Sequence, residues 1–156
     1  MFKEMRKAKQ AISAERIEEI LKAGEYGVLS TVGENGYPYG APVNYSYING
    51  KLYFHGAVKG HKIENIEFNN KVSFTVVGNT KVLAEKFDSE FESVIMFGKA
   101  VEVKDKEKEE VLLYIVNKYS SDYVKEGKEY IERAFNAVKV MRVDLDHITG
   151  KYYKDK

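Results

Sequence analysis

The chain of 156 residues contains no cysteine, no tryptophan and only two prolines. Without cysteine it can form no disulfide, no thiolate metal site and no cysteine nucleophile. Residues 1–7 lack the apolar run of a secretory signal peptide, and no apolar stretch approaches the length of a membrane span. These absences favour a cytoplasmic protein that folds without disulfides and without a membrane.

An excess of charge of one sign is also missing. The 25 Lys and Arg residues nearly balance the 24 Asp and Glu residues, which leaves a formal net charge of +1. A nucleic-acid-binding protein would need a clearly basic face, so we expect no nucleic-acid partner. The length fits one domain. We therefore predict a single domain over residues 1–156, with an N-terminal arm (1–12) and a C-terminal tail (147–156).

The usual catalytic and nucleotide-binding motifs are missing as well. The histidines are His55, His61 and His147, and they lack both the i, i+4 spacing of a zinc-binding helix and a carboxylate cluster to complete a site. We predict no metal site. Neither a G-x-S-x-G nucleophile elbow nor a P-loop is present. Parallel βαβ repeats and a glycine fingerprint are missing too, which disfavours a Rossmann fold.

The sequence does contain a capped helix followed by a series of strands. Ser13 is a helix N-cap, Ile12 and Ile17 occupy hydrophobic-staple positions, and Gly24 ends the helix. Asn-Gly pairs at 35–36 and 49–50 predict hairpin turns. Strands are predicted over residues 28–32, 37–47, 52–55, 71–77, 93–103 and 138–145, and a loop over 78–89. Further helices are predicted over 61–69, with Ile63, Ile66 and Phe68 facing inwards, from a capping Asp105 onwards, and over 123–135. This pattern indicates an α+β fold: a six-stranded, antiparallel β-barrel with flanking helices.

Both prolines, Pro38 and Pro42, fall in the second predicted strand. Proline donates no ladder hydrogen bond, so this strand should be an edge, a bulge or strongly bent. In a barrel, such an irregular strand is a place where a ligand can reach backbone groups.

The segment from His55 to Ile66 could bind an anion. A strand delivers His55, a glycine-containing loop follows, and a helix opens at His61 and Lys62. The first turn of a helix has unpaired N–H groups and the positive end of the helix dipole, which favour a phosphate. From the residues alone, a solvated loop with ordinary surface lysines fits equally well, and His55 could be a hydrogen-bonded core histidine.

Several runs of the sequence together resemble a known family. The run VLSTVGENGYPYGAPVNYSYINGKLYFHGAVKGHKIENI (28–66), KVSFTVV (71–77), ESVIMFGKAVEV (92–103) and MRVDLDHITGK (141–151) resemble the Nim-type, nitroimidazole-resistance branch of the pyridoxamine phosphate oxidase-like flavoproteins. The combination of GYPYGAPVNY with FHGAVKGHK is the most specific part. The resemblance implies a split-barrel homodimer that holds two FMN molecules in clefts at the subunit interface.

The resemblance also implies roles for individual residues. Five residues of the second strand would run along the isoalloxazine through their backbone groups: Ala41, Pro42, Val43, Asn44 and Tyr45. His55 and Gly56 would lie beside the flavin and its ribityl chain. Lys59, His61 and Lys62 would receive the phosphate. The pocket would be closed by Val28, Ser30 and Thr31 of the same chain and by Met96, Phe97 and residues 149–153 of the partner.

The implied function is that of an FMN-dependent oxidoreductase. Electrons would pass from a nicotinamide donor to a small acceptor such as a nitroaromatic, with His55 as the residue that meets substrate or delivers a proton. A non-catalytic FMN-binding or redox-sensing protein, or a haem-binding split barrel, would need a similar pocket. The chain lacks the Arg-rich, His-containing C-terminal motif that binds substrate phosphate in pyridoxamine phosphate oxidase itself, which argues against vitamin B6 oxidation.

Overall fold

The first helix begins and ends as its sequence predicts. In the computed structural model, which describes residues 1–154, helix α1 spans Ala14–Ala23. The Ser13 hydroxyl accepts a hydrogen bond from the Arg16 N–H at 3.2 Å, and the N–H of Gly24 donates to the Ile20 carbonyl at 3.0 Å. Gly24 has an ordinary φ of −66°. Close packing requires a glycine at this position, because a Cβ there would collide with the Tyr45 hydroxyl.

Six strands follow and close into one antiparallel barrel, as predicted. In chain order they are β1 (Tyr26–Val32), β2 (Pro38–Ile48), β3 (Lys51–Ala57), β4 (Lys71–Leu83), β5 (Asp88–Val103) and β6 (Val138–Tyr153). Around the barrel the order is β1, β2, β3, β6, β5 and β4, and every neighbouring pair is antiparallel. Both Asn-Gly turns form, with positive φ at Gly36 (74°) and Gly50 (75°).

Strand β2 changes partner part-way along its length. Residues 38–44 pair with β1, whereas residues 45–48 pair with β3. If the register with β3 continued, Asn44 would lie opposite His55 and Val43 opposite Gly56, but the two strands have separated by this point. We call this gap, between residues 38–44 of β2 and residues 55–57 of β3, the split. Both prolines lie in the part of β2 that borders the split, as expected for residues that donate no ladder hydrogen bond.

Helix α2 (His61–Phe68) follows β3 and is anchored to β1. The Asn65 side-chain amide donates to the Thr31 hydroxyl at 3.0 Å, and both residues are buried. Ile63 and Ile66 are buried as predicted. Phe68 is 61% exposed, so its predicted inward orientation is wrong. Phe68 is the last residue of α2, so no further turn of the helix follows to cover its side chain.

The buried side chains form two clusters. The larger fills the barrel and is closed by Ile20 and Leu21 of α1. The smaller lies outside the barrel, beneath helices α3 (Asp105–Tyr119) and α4 (Val124–Ala134). Its members come from α3 and from three strands: Tyr53, Val103, Val111, Leu112, Ile115 and Val140. Within residues 1–154, no helix is both long enough and apolar enough to cross a membrane.

Three local predictions were wrong. Residues 78–89 are not a loop, because β4 and β5 continue as a hairpin around a short 3-10 turn, Ala84–Lys86. Strand β6 does not end at 145 but continues to Tyr153, so most of the predicted tail is strand. The last two residues of the predicted tail, 155 and 156, lie outside the described part of the chain. Asp105 does not cap α3, because it is the first helical residue, with a φ of 53°, and no side chain caps that turn.

Candidate functional site

His55 lies where β3 borders the split. The residue is partly exposed, but its Nδ1 atom is buried and has no hydrogen-bond partner among residues 1–154. A buried polar atom without a partner costs free energy, so native proteins contain few of them. His55 is therefore a residue whose ring could gain a hydrogen bond from a bound molecule. The core-histidine alternative required a partner within the chain, and the structure shows none for Nδ1.

The Lys62 ammonium lies against the same stretch of β3. An ideal Cβ at Gly56 would be 3.1 Å from both Cε and Nζ of Lys62, so a side chain at this position would have to displace the end of Lys62. Burial lowers the pKa of His55 below its ordinary value of 6.5, and the positive charge of Lys62 lowers it further. His55 is therefore neutral at pH 7, with one ring nitrogen able to donate and the other able to accept a hydrogen bond.

The N-terminus of α2 reaches across the split to β2. The His61 ring packs on the ring of Tyr39, with 4.0 Å between centroids and 34° between planes. Gly60 is the N-cap, with a φ of 141°, and its carbonyl accepts from the N–H groups of Ile63 and Glu64 at 2.9 and 3.0 Å. No side chain caps this turn. The positive end of the helix dipole and the Lys62 ammonium therefore favour an anion here.

The structure divides the five predicted residues of β2 into two groups. Residues 41–44 border the split, and there Asn44 donates from its side-chain amide to the Glu25 carbonyl at 2.9 Å. Tyr45 belongs to the barrel core instead. Its hydroxyl donates to the Leu21 carbonyl at 2.7 Å, and its ring meets Phe74 edge-on at 5.2 Å. The side chain of Tyr45 is thus unavailable to a ligand in the split.

The remaining predicted residues are scattered. Lys59 lies exposed in the loop before α2. Ser30, Thr31 and Phe97 border one surface cavity of about 640 Å³. Met96 is fully buried in the barrel core, so it cannot cover a flavin bound by a partner. The described residues contain no group of three or more His, Asp and Glu side chains arranged to hold a metal ion.

Two residues at the site were missed by sequence reasoning. Tyr39 supports the His61 ring, and Asn65 fastens α2 to β1 through Thr31. The one available signal for Tyr39 was its place between two prolines in an irregular strand. Asn65 had no such signal, because residues two apart in a helix, such as Ile63 and Asn65, do not lie on the same face.

Comparisons with known proteins identify the family of the chain. The family model described as pyridoxamine 5'-phosphate oxidase matches residues 13–152. Among curated proteins there is no match. A candidate 5-nitroimidazole antibiotic resistance protein from Bacteroides thetaiotaomicron is 31% identical, with 91% of this chain and 86% of that chain covered and a TM-score of 0.78.

Two more distant structures share the fold. The FAD and heme binding protein from Mycobacterium smegmatis is 15% identical, with 94% of this chain and 74% of that chain covered and a TM-score of 0.82. A FAD-binding protein from Mesorhizobium loti is 21% identical, with 92% and 97% covered and a TM-score of 0.62. The family model spans nearly the whole barrel, from the N-cap of α1 to the end of β6. The chain therefore belongs to the pyridoxamine 5'-phosphate oxidase family.

Proposed function

We propose that the chain binds FMN in the split and acts as an oxidoreductase that passes electrons from a nicotinamide donor to a small acceptor such as a nitroaromatic. The observation that carries the proposal is the buried, unpartnered Nδ1 of His55 beside the Lys62 ammonium and the uncapped N-terminus of α2. Family membership supports a flavin. The name of the Bacteroides relative supports the nitroaromatic class of acceptor.

The phosphate of FMN would bind at the N-terminus of α2. Lys62 supplies a full positive charge, and the first turn of the helix supplies the positive end of its dipole. His61 also borders a cavity of about 480 Å³ whose lining includes Glu34 and Glu64. Those carboxylates would repel a phosphate. We therefore expect the phosphate on the Lys62 side of the helix.

The flavin ring would lie along residues 41–44, where β2 has no strand on the side of the split. Bound FMN supplies the redox chemistry, and the protein supplies binding, orientation and exclusion of water. His55 is neutral, so its ring can hydrogen-bond to the flavin or to a substrate above it without bringing a second positive charge next to Lys62. This is the role that we assign to His55.

We further propose that two copies of the chain complete the cleft. Strand β5 carries apolar side chains on both faces: Val94 and Met96 fill the barrel, whereas Ile95 and Phe97 are 40% and 38% exposed on the outside. Val77 of β4 is exposed on the same sheet. Exposed apolar side chains on adjacent strands are a typical interface surface. A homodimer formed through this face would bury them.

The first test identifies the bound molecule. We expect protein purified under native conditions to release FMN on denaturation, one molecule per chain, as measured by chromatography against FMN, FAD and riboflavin standards. Protein that releases no flavin and takes up none on reconstitution would refute the proposal.

The second test locates the phosphate. Lys62→Ala combined with His61→Ala should weaken FMN binding by about 1.5–3 kcal/mol, roughly 10- to 150-fold, because charge-assisted contacts are lost. Riboflavin, which lacks the phosphate, should be weakened much less. Lys81→Ala, at an exposed lysine of the β4–β5 hairpin, is the matched control. Equal weakening of both flavins in a fluorescence titration would place the phosphate elsewhere.

The third test concerns the dimer. If both chains form the cleft, dilution that separates them should release flavin, and added FMN should keep the dimer intact at lower protein concentration. Light scattering and flavin fluorescence across one dilution series report both quantities. A monomer that keeps FMN with full affinity would contradict the shared cleft.

One observation favours a second candidate, a haem-binding barrel. A neutral imidazole is what an axial haem ligand must be, and burial together with Lys62 keeps His55 neutral. The absorbance spectrum of the purified protein separates the two cofactors, because haem gives an intense Soret band. If FMN is bound, steady-state oxidation of a nicotinamide in the presence of a nitroaromatic distinguishes an enzyme from a protein that binds flavin without turnover.

A further inference from the structure

Lys118, in the last turn of α3, is a half-buried amine outside the split. Its Nζ donates to the Tyr45 carbonyl at 2.9 Å. It also lies 4.1 Å from the centroid of the Tyr45 ring and 5.0 Å from that of the Tyr119 ring. No carboxylate of residues 1–154 forms an ion pair with it. Its contacts are therefore a neutral carbonyl and two aromatic rings.

A second lysine nearby provides a comparison. Lys22 of α1 forms an ion pair with Glu18 at 2.7 Å, and this contact raises the pKa of Lys22. Lys118 has no such counter-charge, and burial lowers its pKa to about 8. At pH 7 about a tenth of such an amine is neutral, against fewer than about one in a thousand for an ordinary lysine. The two amines therefore differ in nucleophilicity although they are neighbours.

Both lysines border the same cavity. Its volume is about 380 Å³, and its remaining walls are formed by Tyr47, Tyr114 and Asn117. The cavity lies between α1, β2 and α3, and none of its lining residues belongs to the proposed cofactor site. It is large enough for a small molecule, and no carboxylate lines it to draw the Lys118 ammonium into an ion pair.

We propose that Lys118 is a modification site, whose amine takes an acyl group from a small activated donor, an acyl phosphate or a thioester, that enters this cavity. The lone pair of Nζ attacks the acyl carbon and forms a C–N bond. The C–O or C–S bond of the donor breaks, and phosphate or thiolate leaves with the electron pair. The amine releases a proton to solvent. No oxidant, metal or flavin takes part, so this proposal is independent of the proposed cofactor.

The contacts of Lys118 explain how the neutral amine is held for this reaction. One N–H still donates to the Tyr45 carbonyl, which leaves the lone pair available to a molecule in the cavity. Acylation removes the charge, and with it the attraction to both aromatic rings. Tyr45 is the first residue of β2 that pairs with β3. Acylation of Lys118 would therefore alter the contacts of Tyr45 at the point where β2 changes partner.

The experiment measures the acylation rate of every lysine in the intact protein. The folded chain is exposed to acetyl phosphate between pH 6 and pH 10, digested and analysed by mass spectrometry. Lys22 is the internal control, because it borders the same cavity but is paired with Glu18. At pH 7 the neutral fraction of Lys118 exceeds that of Lys22 by about 100-fold or more, and a less basic amine is a weaker nucleophile, so we expect Lys118 to react at least about tenfold faster. Its rate should level off above about pH 8, as expected for an amine that has lost its proton by then.

Two results would overturn the proposal. One is a Lys118 rate equal to or below that of Lys22 at pH 7, and the other is reaction of Lys118 only after the protein is unfolded in urea. The variant Lys118→Arg keeps the positive charge and removes the nucleophile. It should abolish the fast reaction and leave the rates of the other lysines unchanged. Because the rates come from the unmodified sequence, the result stands even if this variant does not fold.

Discussion

The barrel has a closed side, where β5 pairs with β4 and with β6, and an open region at the split. The two regions differ in whether the edges of their strands are paired. On the closed side, β5 has a partner along both edges, β4 over residues 88–99 and β6 over 91–103. At the split, β2 and β3 separate just where continued pairing would join Asn44 to His55. Complete ladders satisfy the backbone and leave nothing for a ligand, whereas an interrupted pair leaves an edge that a ligand can use.

The two regions also differ in whether their buried polar side chains have hydrogen-bond partners. The closed side buries apolar groups, and Glu92, the one carboxylate buried within residues 1–154, is held by Arg16 through bonds of 2.7–3.0 Å. The split leaves the Nδ1 of His55 buried without a partner. A polar atom in that state costs about 1–3 kcal/mol. The buried carboxylate of the closed side is thus already paired, whereas the buried Nδ1 of His55 is still available to a ligand.

The largest effect should come from removing a ring from the closed side. Phe74 is fully buried in the barrel core and packs edge-on against Tyr45. Phe74→Ala removes this contact and leaves a cavity, so we expect the free energy of unfolding to fall by about 3–5 kcal/mol. Urea unfolding followed by circular dichroism measures it.

The matched control is Phe87→Ala. Phe87 lies at the tip of the β4–β5 hairpin and is 99% exposed, so the same substitution should change the free energy of unfolding by no more than about 0.5 kcal/mol. If both variants lose similar stability, the barrel interior is not the principal stabilising region and the comparison fails.

A smaller effect should come from the bond that holds α2 beside the split. Asn65→Ala removes the donor to the Thr31 hydroxyl and leaves that buried group unpaired, which costs about 1–3 kcal/mol. Flavin binding should weaken as well, because α2 carries His61 and Lys62. Asn117→Ala is the control, since that side-chain amide also donates a hydrogen bond, to the Leu113 carbonyl at 2.8 Å, but on the exposed face of α3. An Asn65 variant as stable as the Asn117 variant would mean that Thr31 does not anchor the helix.

Short-range signals predicted much of the fold. Ser13 and the Asn-Gly pairs each depend on residues close in sequence, and the cap and the turns formed as predicted. The strand predicted over 93–103 also formed. Residues 78–89 lacked such a signal. Most side chains there are exposed on both faces of the hairpin, so no alternation marks the strands although the backbones pair.

The site was less predictable, because it depends on where strands separate. The resemblance brought His55, Gly56 and Lys62 together, and the structure places them side by side. It also assigned the backbone of Tyr45 to the flavin, and the structure shows that the Tyr45 side chain fills the barrel. Alternation alone puts residues 41, 43 and 45 on one face. Only the three-dimensional path of β2 shows that this face passes from the split into the core within four residues.

The smallest predicted effect is a dependence of stability on pH that originates at His55. Burial and Lys62 lower its pKa in the folded protein, whereas the unfolded chain keeps a value near 6.5. Below pH 6.5 the unfolded state therefore binds more protons than the folded state. Stability from this group is fully present above about pH 6.5 and falls as the pH drops towards the folded-state pKa, below which the loss is complete.

The variant His55→Asn should flatten this part of the stability profile between pH 7 and pH 5. His61→Asn is the control, because it leaves His55 in place and should keep the slope. The measurement is the midpoint of urea unfolding at half-unit pH intervals. Equal slopes in the two variants would show that the slope originates outside the split.

Replacing Lys62 tests which cause of the shift acts at this site. Burial is the larger cause and Lys62 the smaller, so Lys62→Met should raise the pKa of His55 only part of the way towards 6.5. An NMR titration of the His55 ring protons measures this value directly. Lys59→Met is the control, since Lys59 is exposed and contributes nothing to the shift. If Lys62→Met leaves the pKa of His55 unchanged, the ammonium does not lie beside His55, and the phosphate site proposed for the split loses its cation.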